Sequence, residues 1–391
     1  MTITRREVLR GGLGAAGAFA LTACGIRGTQ QRRVARRSPL PSPSGKLSIA
    51  TWPHYIDVDA AGRRPTVDRF ERKSGIDVTY KEVIEDNESF FSTIRGPLSR
   101  DEPTDWDIVV VTDWLVGRMR RLGYLEELHR DELSTVTKQV GPLFERSPDA
   151  PLYSVPWQAG IVGIGYNRKL TKQPITSFGD LFDPLFEGKV GMFSDMRDMI
   201  HLTLLWKDVD PEDAELEDVE EAKDALVKQR KDGLVRSYYE DDYVDALAKG
   251  DIALGLAYSG DVFQLQIDNP DLKFVVPREG GMIFVDEMAV LAGAKHPGDA
   301  HKWMNFVYEP KIAAQITAQM QYITPVPAAR DVLRKRAAEA TGQDKASLEM
   351  VASSPLVFPT AAMRKRIHRY RALGEDEERV WNEIFAEVVE D

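Results

Sequence analysis

Four turns in this 391-residue chain bring aromatic and acidic side chains together: Thr51-Trp52-Pro53-His54-Tyr55, Thr112-Asp113-Trp114, Ser194-Asp195-Met196-Arg197-Asp198 and Tyr258-Ser259-Gly260. Rings and carboxylates held at one place are the groups that hold a cation. A ring face attracts a positive charge by about 0.5–2 kcal/mol, depending on how dry the contact is. A desolvated ammonium also needs an anionic partner, because an unpaired buried ion is very costly. Structural roles compete at each position. A Trp at a strand end also packs, Asp198 is placed to cap the helix that follows it, and Asp195 stands near Arg197. His54 reads as an exposed loop residue.

Other chemistries fit less well. Asp195 and Asp198 have the composition of a glycosidase acid/base pair, but three residues apart at one helix end they face the same charge. The chain has no Gly-x-Ser-x-Gly turn with triad partners in order, no P-loop and no His-Glu-x-x-His. The glycine-rich run from Gly160 to Gly165 lacks the strand–helix setting of a nucleotide site and reads as close strand packing. One cysteine excludes internal disulfides and a Cys-based zinc site. The adjacent Tyr238-Tyr239 leaves a ferric-ion site as an alternative.

Strands must deliver these turns. Residues 46–51 alternate apolar and polar, 66–74 are amphipathic and stop at Gly75, and 76–83 read as a second strand. A helix from Asn87 and the apolar run Trp106 to Val111 complete a βαβαβ order, which implies a parallel sheet covered on both faces. A second α/β set follows, with strands at 190–193, 252–257, 272–276 and 284–291 and helices between them. Later helices are expected at 297–307, 310–320 and 375–389. In open parallel sheets ligands bind beyond the carboxyl ends of the strands, which is where the aromatic and acidic turns fall.

The first 44 residues differ from the rest. They hold eight basic residues and one acidic, against 43 basic and 61 acidic in the 347 that follow. Arg5-Arg6, a short apolar stretch from Gly11 and then Cys24 read as an export signal. The apolar stretch is too short for a bilayer, which needs about 20 residues. The arginine pair fits a twin-arginine or a general export signal. Residues 25–44 read as a disordered tether. The acidic body argues against a nucleic-acid partner.

Two resemblances sharpen this reading. Leu21-Thr22-Ala23-Cys24 resembles the lipobox of bacterial lipoproteins, which implies a lipid on Cys24. The body, from Gly45 to about Arg330, resembles the polyamine-binding receptors of spermidine/putrescine ABC importers. The motifs are Trp52-x-x-Tyr55, Trp106 to Val110 leading into Thr112 and Trp114, Val155 to Gly160, Asp195-x-x-Asp198, Pro277 to Gly281 leading to Phe284 and Asp286, and Tyr322-x-Thr324-Pro325.

The resemblance implies a two-lobed periplasmic-binding-protein fold of type II, with a sheet and flanking helices in each lobe and the ligand between them. Lobe 1 is expected at 45–157 plus 286–325, and lobe 2 at 158–285 plus 326–391. It implies ring walls at Trp52, Tyr55, Trp114, Tyr258, Phe284 and Tyr322, acids at Asp195, Asp198 and Asp286, and a hydroxyl at Thr112. Tyr258 and Phe284 stand where the spermidine receptor has tryptophan, and Asp198 stands where it has glutamate. The implied function is an extracytoplasmic receptor, not an enzyme, without cofactor or metal. Its expected partners are a polyamine, a membrane permease with a cytoplasmic ATPase, and the membrane through its anchor. Agmatine and thiamine suit the same walls.

Overall fold

The computed structural model describes residues 39–240 and 242–390. Cys24 and the rest of the export segment lie outside the described residues. Among the described residues ten strands form one hydrogen-bonded sheet: β1 Lys46–Thr51, β2 Asp77–Glu82, β3 Ile108–Thr112, β4 Ser154–Asn167, β5 Val190–Phe193, β6 Val235–Tyr239, β7 Leu254–Tyr258, β8 Leu272–Val275, β9 Gly281–Val290 and β10 Ile367–Arg369. Their order is β2-β1-β3-β9-β4-β7-β5-β6, with β10 beside β9 and β8 beside β4. Among the described residues no helix is long and apolar enough to cross a membrane.

Local sequence explains the first crossover. Pro65 opens the helix Pro65–Ser74, where its missing N–H costs nothing, and Gly75 closes it in the left-handed region at φ 73°. β1, β2 and β3 are parallel, as the βαβαβ reading requires. β3 is Ile-Val-Val-Val-Thr and is buried throughout, which is the composition of a strand covered on both faces.

Two long strands join the halves. β9 runs antiparallel to β3 at one side and to β4 at the other. β4 pairs with β9 from Ser154 to Val162 and with β7 from Val162 to Tyr166. β4 gives Val155 and Trp157 to a first core, built with Leu47, Ile49 and Trp303. Further along it gives Val162 and Ile164 to a second core with Val190, Leu254 and Trp381. β9 does the same with Met288 and Met282. The sheets of the two halves are thus continuous through β4 and β9, because both strands are long enough to serve both cores.

Residues 326–391 divide rather than joining the second half together. The helices Ala329–Glu339 and Gly342–Ser353 bury Leu333 and Val351 in the first core. The helix Glu375–Val389 covers the second, through Trp381, Phe385 and Val388, together with Leu373 and Tyr370 just before it. Amphipathicity shows that a helix buries a face, not which core receives it.

Candidate functional site

Asp286 lies on β9, directly across from Thr112 of β3. Its carboxylate accepts the Thr112 hydroxyl at 2.8 Å and the Tyr55 hydroxyl at 2.6 Å. Tyr55 is delivered by the turn after β1, where His54 is exposed and takes a positive φ of 54°. The Tyr55 carbonyl is held by Trp157 Nε1 and Gln158 Nε2, each at 3.3 Å. Asn87 donates to the Thr112 hydroxyl at 2.9 Å, which leaves that hydroxyl's proton for Asp286. Burial pushes the Asp286 carboxyl up to about 6, against the pull of the Tyr55 and Thr112 hydrogen bonds.

Phe284 precedes Asp286 by two residues on the same strand, so both side chains leave the same face. Phe284 lies across from Gly160 of β4. A Cβ at Gly160 would stand 2.5 Å from the Phe284 ring, so only glycine seats it there. From Phe284 a row of rings runs both ways. Tyr322 is 6.2 Å away and Tyr258 is 5.4 Å away, both edge to face. Tyr55 meets Tyr322 at 5.9 Å with planes at 79°. The row Tyr55–Tyr322–Phe284–Tyr258 therefore begins beside Asp286.

It ends beside a second buried acid. Tyr258 donates to Asp198 at 3.4 Å, and Tyr370 donates to the other Asp198 oxygen. Asp198 is buried in the first turn of the helix Met196–Trp206. Burial, then the neighbouring Asp195, pushes its carboxyl up to about 8, against the two tyrosine hydroxyls and Arg197. The helix cap is Asp195, which accepts the Asp198 N–H at 2.9 Å and is itself exposed. Capping and charge are thus divided between the two acids: the exposed one caps and the buried one faces the rings.

Trp114 stands apart from the row. The Arg197 guanidinium lies 4.4 Å from its ring centroid and Arg118 lies at 5.3 Å. Glu378 holds both arginines, Arg118 at 2.6 Å and Arg197 closely. The ring face expected to meet a ligand cation meets the chain's own cations. Trp114, Asp195 and Arg197 line an open cleft with Phe91 and Glu378. Trp52 is half-buried, packs against the first core, and its Nε1 is buried without an acceptor. Tyr238 and Tyr239 are adjacent on β6, so their side chains leave opposite faces and do not converge on an ion.

Two site residues escaped sequence reasoning. Tyr370 follows β10, and its pairing with Asp198 spans 172 residues, with no local pattern to mark it. Asp261 accepts hydroxyls from Tyr322 at 2.8 Å and Tyr243 at 2.6 Å. Its one visible signal was its place just after Tyr258-Ser259-Gly260. Tyr55, Tyr322 and Tyr370 each direct their hydroxyl proton at a carboxylate. A phenol has one proton to give. What these hydroxyls retain is lone pairs, so the site offers acceptors and ring faces.

Two α/β halves joined by crossing strands, with acids and rings gathered where the halves meet, define a solute-binding receptor. The chain belongs to the bacterial extracellular solute-binding proteins, whose family profile matches residues 66–346. It is similar to the spermidine/putrescine-binding periplasmic protein 1 of Haemophilus influenzae, 26% identical over 361 residues and 92% of each chain. It is also similar to the putrescine-binding periplasmic protein PotF of Escherichia coli, 26% identical over 88% of this chain and 90% of that one. The solved spermidine/putrescine ABC transporter substrate-binding protein PotD of Streptococcus pneumoniae shares the fold, with TM-score 0.73 and 22% identity over 88% of this chain and 98% of that one.

Proposed function

We propose that this chain is the receptor of an ABC importer and binds a linear polyamine, of the spermidine or putrescine kind, in the cleft between its halves. One observation carries the reading. Two buried carboxylates, each hydrogen-bonded by tyrosine hydroxyls, stand at the ends of one row of rings. A polyamine is a donor-only ligand with an alkyl middle. Its ammoniums match Asp286 and Asp198, and its methylenes match Tyr322 and Phe284. The printed names of the relatives support the same ligand class.

On this reading β4 and β9 form the hinge between lobes at 45–157 plus 286–325 and at 158–285, with 326–391 shared between them, and ligand closes them. The loaded form passes its ligand to a permease with a cytoplasmic ATPase. The mature chain works outside the cytoplasmic membrane, held by a lipid on Cys24, as Leu21-Thr22-Ala23-Cys24 suggests. Radiolabelled palmitate should enter the wild type and not Cys24→Ala.

The main test is calorimetric titration of the purified protein against putrescine, spermidine, agmatine and thiamine, with amino acids, sugars and ferric ion alongside. Saturable binding of a polyamine, recovered unchanged by mass spectrometry, is expected. Tight binding of only an uncharged or anionic solute would overturn the proposal, and turnover of the amine would overturn the receptor role.

A further inference from the structure

The helix Asp113–Leu122 belongs to the first half, where Leu115, Val116 and Met119 join Ala50, Val109 and Val111 in one core. Trp114, Arg118 and Arg121 follow one another at helical spacing, so they share a stripe along its side. All three meet groups from beyond the first half. The Arg197 guanidinium lies 4.4 Å from the Trp114 ring centroid, Arg118 pairs with Glu378 at 2.6 Å, and Arg121 donates to the Leu373 carbonyl at 3.2 Å. Arg369 of β10 reaches Asp113, at the start of the same helix, at 3.4 Å. Arg197 and Glu378 lie on helices that pack in the second core. These contacts cross an open cleft between Phe91 on one side and Asn382 on the other.

One carboxylate oxygen organises the group. Glu378 Oε1 accepts from Arg118 of the first half and from Arg197 of the second. Both guanidiniums also lie against the Trp114 ring, Arg118 at 5.3 Å and Arg197 at 4.4 Å. Two like charges on one ring repel unless an anion stands between them. Arg118, Arg197 and Glu378 are largely buried, so salt and water screen them little. Glu88, on the first half, holds Arg118 at 2.9 Å and aims it across. Every partner comes from the chain itself, so the contacts need no solute to form.

We propose that Glu378 is a latch between the halves: with Arg118 and Arg197 it holds the cleft closed before a solute arrives. Closing then costs less of the binding energy of whichever solute enters. The inference takes β4 and β9 as the hinge, as proposed above, and is independent of the amine assignment.

A distance measurement between spin labels tests it, on the full chain carrying Cys24→Ala. Ser92→Cys on the helix Asn87–Ser99 and Lys231→Cys on the helix Leu216–Lys231 place the labels at exposed positions of the two halves. After exhaustive dialysis the wild type should keep a short-distance, closed population. Arg118→Met leaves Glu378 paired with Arg197 and should shift the closed-to-open ratio about tenfold toward open, the size of coupling that residues in one ion-pair network show. Glu378→Gln should shift it at least as far, because two guanidiniums then share one ring, and it serves if Arg118→Met does not fold by thermal unfolding. Glu88→Gln breaks only the pair inside the first half and should move the ratio less than about twofold. A wild type that is wholly open, or a ratio unchanged by both Arg118→Met and Glu378→Gln, would overturn the latch. So would a shift by Glu88→Gln as large as that by Arg118→Met. Failure of the wild type to bind any amine would sink the amine reading and leave this test standing.

Discussion

Tyr370 donates its hydroxyl proton to Asp198, so the last part of the chain closes over the acid at the far end of the ring row. β10 brings it there by pairing with β9, the strand that also carries Phe284 and Asp286. The pairing ties the C-terminal segment to the candidate site, and the Tyr370 hydroxyl favours the ionised form of Asp198 against burial and Asp195.

Without ligand the Asp198 carboxyl is pushed to about 8 and that of Asp286 to about 6, in both cases first by burial. Near neutral pH Asp198 then keeps most of its proton. An ammonium favours the ionised form, so binding expels that proton. Calorimetry at pH 7 in buffers of different ionisation enthalpy should show roughly one proton released per ligand. Affinity should rise between pH 5 and 8, by up to about tenfold per unit where one proton is displaced. Tyr370→Phe removes a donor that favours the ionised acid and should move this profile upward. A flat profile would refute the coupling.

The same raised values act on stability with a fixed sign. An unfolded Asp titrates near about 3.9. Below that both states are protonated and the contribution to stability is complete. As pH rises the unfolded chain loses its proton first, so Asp286 withdraws stability up to about pH 6 and Asp198 up to about pH 8. Asp198→Asn should therefore melt no lower than wild type at pH 8 without ligand, yet bind amines more than about tenfold more weakly. Asp286→Asn should lose at least as much affinity. Wild-type affinity in Asp286→Asn would remove that residue from the site.

Gly160→Ala tests the seat under Phe284. The added carbon would stand 2.5 Å from that ring, so the ring must move. A cost of about 1–3 kcal/mol is expected in urea unfolding, as for other overpacked positions. Phe284→Ala should relieve that cost and weaken binding, and a full additive cost in the double variant would argue against the contact.

Glu378 joins helices of both halves, because Arg118 lies on Asp113–Leu122 and Arg197 on Met196–Trp206. All three side chains are at most 14% exposed. Glu378→Gln takes from Arg197 its carboxylate partner, while Arg118 keeps Glu88, and should destabilise by about 3 kcal/mol in urea unfolding. Arg197 should then leave Trp114, visible as a change in tryptophan fluorescence. An unchanged unfolding midpoint would show that the ion pairs contribute nothing net.

Periodicity and turn residues located the strands and most helices, and with them the turns that carry Tyr55, Thr112, Asp198 and Tyr258. What they left out depends on distance along the chain. Two acids three apart on a helix end look alike in sequence, and burial by Tyr258 and Tyr370 is what separates Asp198 from Asp195. The resemblance makes Trp114 a ligand wall, and nothing local in the sequence shows that Arg197 lies over its ring. The resemblance puts all of 326–391 in lobe 2, whereas Leu333 and Val351 pack in the first core, and an apolar stripe does not name its partner.

Phe284 and Asp286 are separated by one residue of an extended strand that threads both cores, so roughly 7 Å of chain sets their spacing whatever the halves do. Asp198 has no such covalent spacing from them: its helix packs in the second core, and it reaches β9 only through the Tyr370 hydrogen bond. On the proposed amine reading, the cleft would act as a calliper whose Asp286 jaw is set by β9 and whose Asp198 jaw moves with the second half, so a side chain one methylene longer at position 198 should change the preferred ligand length and leave the Asp286 end undisturbed.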